Sequence, residues 1–455
     1  MSRPLIIGAG PAGIRAAQTL VRHGLTPVVV DEAPACGGQI YRQPLVDDGR
    51  TPAARYGSEA GKATALHQGF AALQGAIDYR PGTLVWALAQ GRAQLLRDDQ
   101  HDDEIAYDGL ILATGAMDRI ALLPGWTLPG VFSLGGAQIA LKAQGMAIGN
   151  RVVFLGSGPL LYLVAWQYLK AGVTVAGVLD LAPVSAKRHL LAALPLAPGL
   201  VLRGVRMVAD LMRAGVPVHQ GIEAPGILGR SKVTGVVFRT GGRDRTLDCD
   251  GVGTAIGLKP ETQLADLAGC TFTWSDRDGL HLPVRDAAGR SSVPGVYLAG
   301  DGAGILGADA AELAGERAAL ALLADRGHAV DGSRCAQLDA ALARQDRLRT
   351  HLTRAFAPAG RLQIADDALL CRCEEVTAGQ ARAAITAFDV REINRLKALC
   401  RVGMGRCQGR VCAPAAAELL AEATGARPDA VGRLRAQAPI KPISLPLPAS
   451  AGDAP

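Results

Sequence analysis

The stretch "PLIIGAGPAGIRAAQTLVRHGLTPVVVDEAP", residues 4–34, decides the fold. A short apolar run, Leu5–Ile7, leads into Gly8-Ala9-Gly10-Pro11-Ala12-Gly13. A helical stretch follows, with Ala17 and Leu20 on the face turned to a sheet, and Gly24 stops it. A second apolar run, Val28–Val30, ends at Asp31 and Glu32. Strand, glycine turn, helix and strand in that order make a parallel βαβ unit. Gly8 makes the tight turn, Gly10 lets the backbone approach a pyrophosphate, and Gly13 lets helix and strand pack closely. The helix begins at Pro11-Ala12, and its N-terminus offers free N–H groups beyond Pro11 and a positive dipole end to phosphates. Asp31 stands 18 residues past Gly13 and fits the ribose-binding acid better than Glu32. These elements together predict a bound dinucleotide.

Other segments point to FAD as that dinucleotide. "YDGLILATGAMD" (107–118) is an apolar strand followed by Thr114-Gly115, a turn that would return the chain beside the nucleotide. "VPGVYLAGDGAG" (293–304) is another strand, ending in Gly300-Asp301, where an Asp holds a ribityl hydroxyl in flavoproteins of this build. A helix starting near Gly307 would aim its N-terminus at the pyrimidine end of a flavin. "CGGQIYR" (36–42) would pass near the isoalloxazine, with Gly38, Gln39 and Arg42 as candidate contacts; Val85 completes the candidate set.

The pattern recurs at 151–180 as "RVVFLGSGPLLYLVAWQYLKAGVTVAGVLD". Gly156, Gly158 and Pro159 repeat the turn, and Asp180 repeats the acid. Leu161 stands where the third glycine should be, so the helix is pushed outward. The reading is a second, inserted Rossmann-like unit in which Leu161 favours a non-reacting nucleotide or an empty site over nicotinamide hydride donation. No disulfide-reductase CxxC pair is present; Cys36, Cys249, Cys270 and Cys335 are scattered and read as core hydrophobes.

Four further cysteines are not scattered. Cys371-x-Cys373 and Cys407-x4-Cys412 flank a gap of 33 residues. Two close thiolate pairs form a soft cage for structural zinc or for an iron–sulfur cluster. Zinc ribbons prefer C-x2-C knuckles, which neither pair has, and an electron carrier has an evident use beside a flavin. This favours a [2Fe–2S] cluster. Thr377 can cap a helix between the pairs, and Cys400 sits in a second helical stretch as core packing.

The 455 residues allow two to four domains. Net charge is +6 without a basic block and aromatics are 4%, which argues against nucleic acid. No apolar run reaches the length of about 18 residues that a membrane span needs. The glycine-rich start argues against a signal peptide, and nine irregularly spaced cysteines suit a reducing, cytoplasmic setting. No His/carboxylate constellation stands out, so no catalytic residue is named.

Taken together, the FAD fingerprint, the Gly156–Leu161 variant, "PGWTLPGVFSLGGAQ" (124–138) and "CRCEEVT…RVGMGRCQGRVC" resemble one group over about residues 3–445. It is the FAD/[2Fe–2S] large (α) subunit of heteromeric amine and amino-acid dehydrogenases. Its members include the opine oxidase A subunit, the hydrogen cyanide synthase B subunit and the D-hydroxyproline dehydrogenase α subunit. The terminal module is similar to bacterioferritin-associated ferredoxin, which closes its second pair with C-x2-C where this chain has C-x4-C. The resemblance implies a D-amino-acid-oxidase-like β subunit that oxidises the substrate C–N bond, and a chain that relays electrons. It also implies that an FMN can sit between subunits, that an adenine nucleotide (ATP or NAD(P)) can occupy the second Rossmann site, and that a small [2Fe–2S] γ subunit can join.

The expected fold is thus α/β, a two-dinucleotide-binding-domain flavoprotein plus a small all-α [2Fe–2S] module. The expected parts are the FAD domain at 1–120 and 251–330, the insert at 121–250, a helical linker at 331–365, the cluster domain at 366–430 and a Pro-rich tail at 431–455. Two rivals stand beside this reading: a self-contained NAD(P)H-dependent flavin reductase, which Leu161 counts against, and a redox-sensing scaffold, which the absence of a basic patch counts against.

Overall fold

The computed structural model of the chain describes residues 3–97, 101–360 and 362–443. Strand Arg3–Ile7 pairs in parallel with Val28–Val30 on one side and with the far half of His101–Leu112 on the other. Asp78–Arg80 and Val296–Leu298 extend the parallel core outward. The near half of His101–Leu112 leaves that core and joins an antiparallel meander with Thr83–Ala89 and Arg92–Arg97. Leu5, Ile6, Val28, Val29, Leu110 and Ile111 are all fully buried, as a sheet covered on both faces requires. Helices Pro11–Arg22 and Ala308–Asp325 pack on one face, so tightly that a Cβ on Gly315 would fall 1.9 Å from the Ala12 carbonyl oxygen.

A second sheet is wholly parallel and five-stranded, in the order Val218–Gln220, Thr174–Asp180, Arg151–Ser157, Gly251–Ile256, Val131–Ser133. An antiparallel sheet of Glu223–Gly229, Val233–Thr240 and Arg243–Asp248 flanks it. This corrects the division at 250. The expected boundary gives Gly251–Ile256 to the returning FAD domain, yet this strand pairs along its whole length with Arg151–Ser157 and belongs to the insert. The chain crosses between the two units on a ladder formed by Ala116–Asp118 and Leu258–Pro260.

Helix Gly332–Ala355 forms the linker, capped by Asp331. The terminal module is three helices, Ala378–Ala387, Ile393–Cys400 and Ala413–Thr424, around a core of its own. Thr377 caps the first through a reciprocal capping box with Gln380. The module is not purely helical: Leu369–Cys371 and Val376–Thr377 form a small hairpin that carries the first cysteine pair. Residues 444–455 of the Pro-rich tail lie outside the described residues. The part before them is not loose, because Ile440 is 4% exposed and donates its N–H to the Trp86 carbonyl oxygen at 3.0 Å. No helix among the described residues is long and apolar enough to cross a membrane.

Candidate functional site

The first glycine turn is built as its spacing predicts. Gly8 has φ +109°, and a Cβ there would lie 2.3 Å from the Ala113 carbonyl oxygen. A Cβ on Gly13 would lie 1.7 Å from the Gly8 carbonyl oxygen, so only glycine lets this helix sit so close to its strand. Gly10 is the N-cap of helix Pro11–Arg22 and faces Gly38, whose Cβ would come within 2.9 Å of the Gly10 Cα. The Ala12 and Gly13 N–H groups belong to the first turn and have no intrahelical acceptor. The cradle is therefore backbone on every side, with donors aimed into it, and it fits a pyrophosphate.

Around it the structure gathers the other predicted residues. Gly300 reaches Ala12, with its Cβ position 2.9 Å from the Ala12 Cβ, and Gly302 abuts Thr114. The Asp301 Oδ1 accepts from the Leu306 and Gly307 N–H groups at 2.8 and 2.9 Å, which fixes the turn before helix Ala308–Asp325 and leaves Oδ2 to a ligand. Asp301 and Gly307 border a cleft of about 1680 Å3 between the two units. Tyr41 borders it too, on the loop that carries Gln39 and Arg42; the Arg42 guanidinium donates to Gln39 and its carbonyl accepts from Tyr56. Lys142 crosses from the second unit to donate to the Ile40 carbonyl at 3.1 Å, and burial lowers its amine to about 8.

Two expectations need correction. Asp31 accepts from Ala9 at 2.5 Å and Ala33 at 2.7 Å, and burial raises its carboxyl. It braces the glycine turn. Glu32, its side chain 58% exposed, borders a cleft at the strand end and pairs there with Lys441. Counting from Gly13 cannot separate two adjacent acids; alternation along the strand end does, because neighbouring side chains point to opposite sides. Val85 is 3% exposed and packed in the core, and its neighbour Leu84 borders the cleft beside Glu32 instead.

The second turn starts like the first and finishes differently. Gly156 has φ +149° and a Cβ position 1.9 Å from the Ala255 carbonyl oxygen, the counterpart of Gly8 and Ala113. Gly158 caps helix Pro159–Lys170. Leu161 is fully buried in the core between that helix and its sheet, at a depth where Gly13 allows no Cβ at all. The chain crosses this turn, and Ser157, Gly158, Lys187 and Phe356 all line the cleft between the two units. The Ser157 hydroxyl donates to the Phe356 carbonyl, and the Lys187 ammonium donates to the Ala355 carbonyl at 3.2 Å. Lys187 also lies 3.9 Å over the Phe356 ring. Asp180 has no exposed surface; its Oδ2 accepts from Tyr162 and Lys187, both at 2.7 Å, and its Oδ1 from the Ala182 N–H. Gln220 in turn donates to the Tyr162 hydroxyl. The acid predicted to meet a ribose is closed inside a protein network.

The four cysteines converge. The Cys412 thiol lies within hydrogen-bond reach of both Cys371 and Cys407, and Cys373 within reach of Cys407. Hydrogen bonding with Cys412 brings Cys371 down to about 6 and Cys407 down to about 5, and raises Cys412 itself. Backbone N–H groups of Gly403, Glu374, Gly409 and Val411 also point at Cys371 and Cys407. A Cβ on Gly405 would fall 2.3 Å from the Cys373 Cβ, so glycine there lets the loops close. Among the described residues no three His, Cys, Asp or Glu side chains are grouped as a single-ion site. The four thiols form one hydrogen-bonded set with amide donors beside the sulfurs, and this donor set fits a [2Fe–2S] cluster. All nine cysteines are free, and Cys400 lies at the end of its helix with its thiol on the Leu396 carbonyl.

One feature has no signal in the sequence. Arg410, between the second cysteine pair and 8% exposed, donates to Glu261 Oε2 at 2.8 Å. The backbone of Glu261 in turn accepts from the Thr114 hydroxyl at 2.6 Å and donates to the Gly115 carbonyl at 3.0 Å. Lys259, on the ladder between the units, is half-buried near Cys407 and Cys412. The cysteine loop thus touches the turn predicted to lie beside the nucleotide. Partners about 150 residues apart leave no periodicity to read.

Comparison with known proteins agrees with this geometry. The model of the pyridine nucleotide-disulphide oxidoreductase family matches residues 2–322, and that of the BFD-like [2Fe-2S] binding domain matches residues 369–422. The chain belongs to the pyridine nucleotide-disulphide oxidoreductase family and is an FAD-dependent oxidoreductase with a [2Fe–2S] domain at its end. Within that class it stands with two named relatives. The opine oxidase A subunit of Rhizobium meliloti is 37% identical over 97% of this chain and 86% of the relative. The hydrogen cyanide synthase subunit HcnB of Pseudomonas aeruginosa is 37% identical over 97% of each. The fold is shared with L-proline dehydrogenase from P. horikoshii, with TM-score 0.69 and 22% identity over 98% of this chain and 78% of that one. It is shared also with T. acidophilum thioredoxin reductase, with TM-score 0.52 and 23% identity over 71% and 98%.

Proposed function

We propose that this chain is the electron-relaying FAD/[2Fe–2S] subunit of a heteromeric amine, imino-acid or opine dehydrogenase, whose partner subunit oxidises the substrate C–N bond. The observation that carries the proposal is the contrast between a glycine cradle tied to four cysteines and a second nucleotide turn that is crossed by the Phe356 turn and has its acid enclosed. A self-contained NAD(P)H reductase needs that second unit open. Relatives that match 97% of the chain are named as subunits.

Bound FAD supplies acceptance of an electron pair with release of single electrons, and the cluster takes electrons one at a time. The chain's own residues hold the groups. Gly8, Gly10 and Gly13 with Pro11 and Ala12 present the helix start to the pyrophosphate. Glu32 takes the ribose, Asp301 a ribityl hydroxyl through Oδ2, and the Gly307 end of helix Ala308–Asp325 faces the pyrimidine edge. Thr114 and Gly115, Gly38, Gln39 and Arg42 line the rest, and Gly300 lets Asp301 approach. Cys371, Cys373, Cys407 and Cys412 bind the irons. Arg410 and Glu261 keep the cysteine loop against the Thr114 turn.

The partner best supported is a D-amino-acid-oxidase-like β subunit, with a small [2Fe–2S] γ subunit as a further member and an FMN where subunits meet. An adenine nucleotide at Gly156, Gly158, Pro159 and Asp180 would require the Phe356 turn to withdraw. The setting proposed is cytoplasmic. The test is to purify the tagged chain with its natural partners, add candidate substrates (proline, hydroxyproline, an opine, glycine, sarcosine) without oxygen, and record the paramagnetic signal of the reduced cluster. The signal is expected with one substrate class in the complex and with none in the isolated chain. A signal from the isolated chain plus substrate would end the proposal.

A further inference from the structure

The position of the adenosine half of FAD follows from the cradle. With pyrophosphate at the start of helix Pro11–Arg22, the ribose lies at the carboxyl end of Val28–Val30 and the adenine beyond it, against the chain entering Thr83–Ala89. A cleft of about 440 Å3 lies at that place, with Glu32, Gly82 and Leu84 on one side. Its other wall is foreign to the nucleotide-binding unit. Arg406, Cys407 and Arg410 come from the cluster loop, and Lys441 and Pro442 come from the terminal segment.

That wall is anchored. Lys441 forms an ion pair with Glu32, the acid freed for the ribose. Next to it, the Ile440 N–H donates to the Trp86 carbonyl at 3.0 Å, beside the register shift in strand Thr83–Ala89, and the Ile440 carbonyl accepts from the Arg410 guanidinium at 2.6 Å. Further back, Arg433 grips Asp266 with two hydrogen bonds of 2.6 and 2.8 Å and stacks 3.7 Å over Phe272. Arg410 therefore holds three things at once: the cysteine loop it belongs to, the segment at Ile440, and Glu261 under the Thr114 turn.

We propose that the cluster loop and residues 440–443 form a lid over the adenosine end of FAD, so that FAD leaves only when the [2Fe–2S] module lifts. The proposal rests on the FAD reading of the first unit. Linkage is reciprocal: whatever FAD gains from a docked module, the module gains from bound FAD. Lys441 and Arg410 are positioning residues in this scheme, because they act through the lid.

The test uses the full chain with both cofactors. Hydrogen exchange is followed in the holoprotein and after flavin removal, and FAD release is followed by its fluorescence in the wild type and in Lys441→Glu. A chain that purifies without flavin would defeat the FAD reading itself and is seen at once in the spectrum. With flavin present, the lid predicts that amides of 406–410 and 440–443 lose protection when FAD is removed. It also predicts that Lys441→Glu releases FAD about ten-fold faster while its starting cluster absorbance per chain is unchanged. Equal exchange in both segments with and without FAD overturns the lid, whatever the variant does.

Discussion

The two nucleotide units of this chain begin with the same turn and end as opposites. Gly8 and Gly156 press against equivalent carbonyls, of Ala113 and Ala255, at distances only glycine tolerates. Three positions after the second glycine of each turn, the first unit has Gly13 and, with Ala12, two helix N–H groups that lack an intrahelical acceptor. The second has Leu161 in its core and Phe356 over its mouth. The acids diverge in the same way. Glu32 is exposed at the strand end and paired with Lys441, while Asp180 is enclosed by Tyr162, Lys187 and the Ala182 N–H. A Rossmann-like unit can thus keep its fold after its acid is enclosed and its third glycine is replaced by a core side chain. What marks the change is the third glycine position and the fate of the acid.

The sharpest way to break the comparison is to give the first unit the residue of the second. Gly13→Leu puts side-chain atoms where even a Cβ would be 1.7 Å from the Gly8 oxygen. The expected result is a chain purified without flavin absorbance. Retention of FAD would show that the third position does not set the difference.

The reverse exchange has a smaller effect. Leu161→Gly removes a fully buried side chain and adds helix freedom. Large-to-small core changes and an added helical glycine together cost about 4 kcal/mol. Denaturant titration should show that loss, and NADH should still leave the flavin oxidised because Phe356 and the Asp180 network remain. NADH reduction in this variant would make Leu161 the sole barrier.

The smallest effect concerns the seam between the units. Lys142 is 5% exposed and its amine is lowered to about 8 by burial, against 10.5 for a free side chain. Between those values the folded chain holds fewer protons than the unfolded one, so stability rises with pH across that window. The penalty is therefore complete below about pH 8 and fades toward pH 10.5. Lys142→Met should stabilise the chain at pH 7 by about 2 kcal/mol, after allowing for the lost bond to Ile40. That advantage should shrink in melts above pH 8. A constant advantage at all pH values would mean that the amine is not a buried charge at this seam.

Much of this is legible in the sequence because it is local. The βαβ units, the Gly8–Gly13 fingerprint, the Thr377 cap and the paired cysteines are set by spacing within about one helix length. The strand Gly251–Ile256 escapes a division made from sequence because a parallel strand is defined by its neighbours, and its neighbour is about 100 residues upstream. Spacing favours Asp31 over Glu32 because counting ignores which way a strand end points. The Phe356 plug and the Arg410–Glu261 tie are hidden for the same reason: each joins residues from distant segments through backbone carbonyls and single charges, which leave no pattern along the chain.

The central claim is that electrons do not enter through the second unit. The direct measurement is anaerobic: purify the chain with its flavin, add NADH, then NADPH, then dithionite, and follow the flavin absorbance. The account predicts no bleaching with either nucleotide and full bleaching with dithionite. Rapid bleaching by NADH or NADPH would contradict it, because a nicotinamide would then have reached the flavin past Leu161 and Phe356.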